Sequence, residues 1–187
     1  MGTRHIIKVK KNGKTWISQY GQWDGYPTGQ GADVIGFIRD ERYMHYLGGD
    51  IDRGDIIPIT EREYSEKMDK LTEFIKDDSM LNTMIAQMFV TSVFCRDAGA
   101  KCLRIFAKPF EGKKYAVISE PSGWEEYMYT VDFDQGILRI EELRDTNPQS
   151  IQYAFAYLRQ LSGEDVDKEM KRLEKEWKEI HKHDKEE

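Results

Sequence analysis

Apolar and polar positions alternate at the start of the chain. His5-Ile6-Ile7-Lys8-Val9-Lys10 is rich in β-branched residues and runs to Asn12-Gly13, after which Thr15-Trp16-Ile17-Ser18-Gln19-Tyr20 follows. Two strand-like runs about Asn-Gly predict a hairpin with a type I′ turn, because both turn positions need positive φ. The period then lengthens. Asp33 to Ile38 has helical spacing, whereas Gly48 to Ile59 mixes Gly, Asp and Pro and reads as a loop. Thr60-Glu61-Arg62-Glu63 is a capping box, in which Thr60 accepts from the third helical amide and Glu63 reaches back. The helix it starts carries Tyr64, Met68, Leu71 and Ile75 on one face and ends at Asp77-Asp78-Ser79. Leu81, Met84, Ile85, Met88 and Phe89 form a second, strongly apolar stripe, read as a buried helix.

A short helix is predicted from Ala98 to Phe106, and a strand from Lys114 to Glu120 with Tyr115 and Val117 inward. Tyr127–Phe133 and Ile137–Glu142 make a second hairpin across Asp134-Gln135-Gly136. Asn147-Pro148 fits a helix start, with Asn as N-cap and Pro at the first helical position, and Ile151, Ala154, Phe155, Leu158 and Leu161 follow on one face. After Ser162-Gly163, Val166, Met170, Leu173, Trp177 and Ile180 recur at steps of four, three, four and three along a helix otherwise filled with Glu and Lys. Such a narrow seam must be covered, either by its own domain or by a second copy in a homodimer. Regular β-α-β alternation is absent. The fold class expected is α+β, with antiparallel hairpins packed against helices, as a core over residues 1–145 and a C-terminal helical pair over 146–187.

Composition narrows the function classes. The 187 residues carry 28 Lys and Arg against 34 Asp and Glu, a formal charge of −6. That excess argues against a general nucleic-acid coat, which needs net cations to release counterions. It suits an acidic protein that docks on a basic partner. No apolar run is long enough to span a membrane, the first residues lack the layout of a secretion signal, and two cysteines fit reduced thiols in the cytoplasm.

One loop stands out. Gly21-Gln22-Trp23-Asp24-Gly25-Tyr26-Pro27-Thr28-Gly29-Gln30-Gly31 holds four glycines and two large aromatics around one aspartate. Glycines admit close backbone approach, and Trp and Tyr supply flat apolar faces with polar handles. The loop either lines a binding cleft through Gln22, Trp23, Asp24, Tyr26 and Gln30, or it is a structured turn whose aromatics close the core. It is no phosphate cradle, since it lacks the Lys-Ser/Thr of a P-loop and precedes no βαβ unit.

Thr3-Arg4-His5 with Gln19-Tyr20-Gly21-Gln22-Trp23-Asp24-Gly25-Tyr26-Pro27 and Gly29-Gln30-Gly31 resembles a family of small proteins recurring in bacteriophages and prophages, and in bacterial and fungal genomes. Arg96-Asp97-Ala98-Gly99-Ala100-Lys101 with Leu103, and Trp124-Glu125-Glu126-Tyr127 through Asp134, extend the likeness, which covers roughly residues 3 to 143. The resemblance implies a mobile-element origin. Small phage accessory proteins include inhibitors of host defence, anti-CRISPR proteins among them. The expectation is therefore a binder of a host defence protein or nucleoprotein, such as a Cas9–guide complex, acting in the host cytoplasm.

The alternative is a hydrolase. A strand that begins with Thr3 after Gly2 has the layout of an N-terminal nucleophile enzyme, with Asp24 or Arg4 orienting a freed amine. Normal methionine removal stops at Gly2, which leaves Thr3 internal. The acidic pairs Asp50 with Asp52 and Asp55, Asp77 with Asp78, Glu125 with Glu126, and Asp132 with Asp134 would serve a carboxylate-dependent RNA cleavage, or are solvated acidic faces. His181, His183 and Asp184 lie close in a charged tail, which reads as solvated rather than as a metal site, and no motif implies a cofactor. His5 reads as a hydrogen-bonded structural histidine, and Cys95 and Cys102 as small buried hydrophobes.

Overall fold

The computed structural model describes residues 2–66, 69, 98–107, 113–143 and 147–183. The first hairpin forms as its turn requires. β1 (His5–Lys11) pairs antiparallel with β2 (Lys14–Gly21), and Asn12 and Gly13 both take positive φ, 54° and 69°. β3 (Ile56–Thr60), β4 (Lys114–Ile118), β5 (Tyr127–Asp132), β6 (Ile137–Glu142) and β7 (Gln149–Ala154) complete one seven-stranded sheet in the order β3-β4-β2-β1-β5-β6-β7. The sheet is mixed. Hairpins join β1 to β2 and β5 to β6, while β1 runs parallel to β5, β2 to β4 and β3 to β4. The α+β class is therefore observed, with antiparallel pairing in only part of the sheet.

Beside a helical segment at residues 61–66, the described residues hold α1 (Ala32–Arg39), α2 (Glu41–Arg53), α3 (Lys101–Phe106), α4 (Phe155–Gln160) and α5 (Gly163–His183). The Asp40 carboxylate caps α2 by accepting from the Arg42 amide, and Gly54 ends it in the left-handed conformation. The capping box at Thr60 also forms, since Thr60 Oγ1 accepts from the Glu63 amide and Glu63 Oε2 from the Thr60 amide. Residues 61–66 are helical after it. The predicted stripe from Leu81 to Phe89, with Met68, Leu71, Ile75 and Cys95, lies outside the described residues.

Three local readings change. The loop expected from Gly48 to Ile59 is the end of α2 followed by β3. Gly48 is buried, and an added Cβ there would come to 3.3 Å from the Phe133 ring, so packing overrides the weak helix propensity of Gly48 and Gly49. Tyr115, expected inward, is 39% exposed, while its neighbour Ala116 faces the core.

The largest change lies after Asn147. The predicted helix is β7 up to Ala154, and only then α4. Ile151 and Tyr153 alternate and pair across from Ile140 and Leu138, and the backbone groups of β6 need those partners. The boundary drawn near residue 145 thus has strands of one sheet on both sides.

On one face of the sheet Ile7, Tyr129 and Ile140 form one cross-strand row, and Val9, Val131 and Leu138 the next. α1, α4 and α5 supply Phe37, Leu158, Met170 and other members of the same core. The α5 seam is spent there. Val166, Met170, Leu173 and Trp177 are each at most 4% exposed, Ile180 packs beside them, and Trp177 stacks on Tyr127 with ring centroids 6.3 Å apart. The seam is therefore packed within the chain, its apolar atoms already out of water. Leu173→Ala is expected to lower stability by about 2–5 kcal/mol. Thermal unfolding checks it; an unchanged midpoint would contradict this packing.

Candidate functional site

The glycine-rich loop sits at one end of the sheet, where β1 begins and β2 ends. Its course is set by main-chain bonds. The Gly25 amide donates to the Thr3 carbonyl at 3.1 Å, and the Gln30 amide to the Asp24 carbonyl at 2.9 Å. Asp24 turns with φ 53°, a conformation Asp tolerates better than most residues. Pro27–Gly31 then forms a single π-helical turn that runs into α1.

Asp24, Tyr26, Thr28 and Gln30 spend their polar side-chain atoms on holding this loop. Tyr26 Oη donates to Asp24 Oδ1 at 3.0 Å. The Asp24 carboxylate accepting that bond raises the Tyr26 pKa above its ordinary value. Thr28 Oγ1 bonds Glu174 of α5 at 2.7 Å. Gln30 Oε1 accepts from the Ala100 amide at 2.7 Å, beside Gly99 in its left-handed conformation. That bond joins the first sequence motif to the Arg96–Lys101 motif 70 residues away. Ala100 is buried, so Gln30→Ala is expected to cost about 1–3 kcal/mol by stranding its amide. A drop in the urea midpoint with an unchanged slope checks it.

Beneath the loop lies His5, and it departs from the expected hydrogen-bonded role. It is 1% exposed, and neither ring nitrogen has a partner in hydrogen-bond geometry among the described residues. Its ring fills the space left by Gly21 and Gly25. A Cβ on Gly21 would overlap Cε1 and Nε2, and one on Gly25 would reach Nδ1 at 3.0 Å. Tyr129 meets the imidazole edge-on at 6.4 Å and donates its own hydroxyl to the Gly25 carbonyl at 2.7 Å. Burial lowers the His5 pKa to about 4, against the opposing pull of the Thr3 carbonyl and the Asp24 carboxylate. The imidazole is thus neutral at pH 7. Burial likewise raises the Tyr129 pKa well above its ordinary value.

Two tryptophans are displayed at this end. Trp23, 49% exposed, covers Gly2; Trp124, 70% exposed, lies under the Arg4 guanidinium at 5.7 Å from the ring centroid. The loop bearing Trp124 is tied by Glu125, whose carboxylate accepts from the Ser122 hydroxyl and from the Ser122 and Gly123 amides. Burial pushes the Glu125 pKa up, but these hydrogen bonds outweigh it and leave the carboxyl below its ordinary range.

Of the residues predicted for the loop, the structure brings Gln22, Trp23, Asp24, Tyr26 and Gln30 together, but only Trp23 projects a large ring into solvent. Thr3, Arg4 and Asp24 border the same turn and are engaged separately: the Thr3 carbonyl by Gly25, the Arg4 guanidinium by Trp124, the Asp24 carboxylate by Tyr26. Sequence reading missed Trp124 as a partner of Arg4, and it missed Tyr129 and His5 as the floor. The period-2 alternation of β1, which sets His5 opposite Arg4, was the available signal.

The acidic pairs are structural where they are described. Asp50 pairs with Arg53 and with Lys114 Nζ at 2.5 Å, Asp52 with Lys11, and Asp55 with Arg53. Asp134 accepts from the Asn12 and Gly13 amides and so joins the two hairpins. Asp77, Asp78 and Asp184 lie outside the described residues, and His181 bonds Glu142 at 2.5 Å. Among the described residues, no group of three or more ligating side chains is placed to hold a metal. Cys102 is buried, which pushes its thiol up to about 12. No helix among the described residues is long and apolar enough to cross a membrane. Searched against known protein families, curated proteins and solved structures, the chain finds no match in any of the three.

Proposed function

We propose that this protein works by binding rather than by catalysis, as a phage-type accessory protein of the anti-CRISPR kind that occupies a host defence nucleoprotein such as a Cas9–guide complex. The observation that carries the binding reading is the pair of exposed tryptophans at one end of the sheet, Trp23 over Gly2 and Trp124 under Arg4. Aromatic rings and arginine are the side chains that anchor interfaces, because they bury large areas with few rotatable bonds. Here they are fastened in advance by Gly2, Glu125 and the loop bonds, so little ordering entropy is lost on contact. The resemblance of the loop motif to phage and prophage proteins directs the choice of partner class.

The hydrolase reading has less support. An N-terminal nucleophile at Thr3 requires removal of Gly2, and Gly2 is the residue under Trp23.

The test is a titration of the protein into Cas9–guide complex with target DNA, both strands and the guide read on denaturing gels. Protected DNA with intact guide, saturating near one protein per complex, is the expected result. Trp124→Ala is expected to raise the concentration required about tenfold or more. Cleaved guide RNA, or turnover abolished by Thr3→Ala, would replace binding with catalysis. No effect on either nucleic acid would remove the Cas9 version of the proposal.

A further inference from the structure

The sheet has a second face, and its chemistry differs from the rest of this acidic chain. Register places Ser18, Lys8, Thr130, Arg139 and Gln152 in one row across β2, β1, β5, β6 and β7. The row holds two cations, an amide and no carboxylate; its two hydroxyls, Ser18 and Thr130, are buried, and Ser18 donates to the Ser119 carbonyl. On the same face of β1, Lys10 stands one step beyond Lys8 and Arg4 two steps before it, with the buried Ile6 between Arg4 and Lys8, since residues two apart on a strand share a face. None of Arg4, Lys8, Lys10 or Arg139 has an ion-pair partner among the described residues. Arg139 Nε is shielded from solvent and has no hydrogen-bond partner among the described residues. Lys10 and Gln152 are exposed, and Lys8 and Arg139 are half-buried. Carboxylates stand only in the flanking rows, at Glu126, Asp132 and Glu141, and Asp132 Oδ1 is taken by the Asp134 and Gln135 amides.

We infer that this face, together with Trp124, is a binding track for single-stranded nucleic acid. The inference rests on the binding reading above and names the component of the nucleoprotein that the protein touches. Lys8 and Arg139 are two strands apart, roughly 10 Å, so one extended strand crossing the sheet meets both. The exposed Gln152 adds an uncharged donor to phosphate or sugar oxygens along the same line, while Thr130 is buried between the two cations. Arg4 lies about 13 Å from Lys8 along β1 and brings the track to the exposed Trp124 ring, on which a base stacks. An acidic peptide would satisfy the cations but not use the aromatic end, and duplex DNA would set its second backbone against the flanking carboxylates. The net charge of −6 excludes a general coat but not a single local track.

The probe is a fluorescein-labelled single-stranded RNA of mixed sequence, about 15 nucleotides long, followed by anisotropy with the full chain. Three or four phosphate contacts predict a slope of log affinity against log salt of about −2 to −3, which is about 20- to 50-fold weaker binding at 200 mM than at 50 mM salt. Lys8→Ala/Arg139→Ala is expected to bring the slope about 1.4 closer to zero. Trp124→Ala, at an exposed site that does not threaten folding, is expected to lose about tenfold in affinity with the slope unchanged. Absence of binding at 50 mM salt, or a slope the double variant does not move, would overturn the track. So would a polyglutamate peptide that competes on equal terms, which would assign the face to an acidic protein. RNA binding without inhibition of the Cas9–guide complex would sink the defence proposal and leave the track. Inhibition fully retained by the double variant would keep the binder reading and overturn this face as its contact.

Discussion

Gly21→Ala is expected to lower the thermal midpoint by about 6–12 °C, from an overpacking cost of about 3 kcal/mol. The added Cβ would overlap the His5 ring, which cannot retreat because Gly25 backs its Nδ1 side and Tyr129 closes its edge. His5 sits on the β1–β2 ladder, Gly25 is held by its bond to Thr3 and Tyr129 by the β1–β5 pairing, so the strain has no soft side chain to absorb it. Gly36→Ala is the control. Nothing lies within 4 Å of a Cβ there, and in the interior of α1 alanine should stabilise by about 0.5–1 kcal/mol. The cause is tested by repeating Gly21→Ala in a His5→Ala background, where most of the cost should vanish. An equal cost in both backgrounds would mean that the imidazole is not what the new methyl meets.

Acid should weaken the fold through His5. Burial depresses its pKa from 6.5 to about 4 in the folded protein, so between those values the unfolded chain holds a proton that the folded one does not. Stability from this group is complete above pH 6.5 and is lost as pH falls toward 4. At 1.36 kcal/mol per pH unit the loss reaches about 3 kcal/mol by pH 4. Asp24 is the charged group that opposes the shift, through its attraction for the imidazolium. Urea unfolding of the wild type and of His5→Phe across pH 7 to 4 isolates the effect, because all carboxylate contributions are common to both. The difference between the two curves should change by about 3 kcal/mol over that range. Curves that stay parallel would show that His5 does not carry the acid sensitivity. Since the imidazole supports the Gly21–Gly25 turn, acid should also loosen the loop that displays Trp23.

Local chemistry was legible wherever a few neighbouring residues decide the outcome. The Asn12-Gly13 turn needs two positive φ values and takes them. The Thr60–Glu63 box satisfies its own amides. The spacing from Val166 to Trp177 puts four apolar side chains on one stripe, whatever covers it. The loop drew notice because four glycines and two aromatics in eleven residues are unusual, and main-chain and side-chain bonds within it do fix its course.

What failed were readings that depend on distant partners. Residues 149–154 fit a helix face as well as a strand, since Ile151, Ala154 and Phe155 satisfy one period and Ile151, Tyr153 and Phe155 the other. The open edge of β6 decided for the strand. Gly48 and Gly49 looked like loop residues until Phe133 was packed against Gly48. The seam on α5 was equally suited to a second copy, and its own sheet covered it.

The site shows the same division. Sequence alone determined which residues have unusual chemistry: Trp23, Asp24, Gln30, Arg4 and the glycines between them. Only the tertiary structure decided that Asp24 and Gln30 serve the scaffold, that His5 is sealed beneath them without a hydrogen bond, and that Trp124 joins Arg4 from 120 residues away. It also decided that Lys8 and Arg139 share a row. Turns, caps and periodicity are set by interactions within a few residues of the chain. Burial, pKa and the composition of a face depend on which strands lie side by side, and that is settled by the competition of all segments for one core.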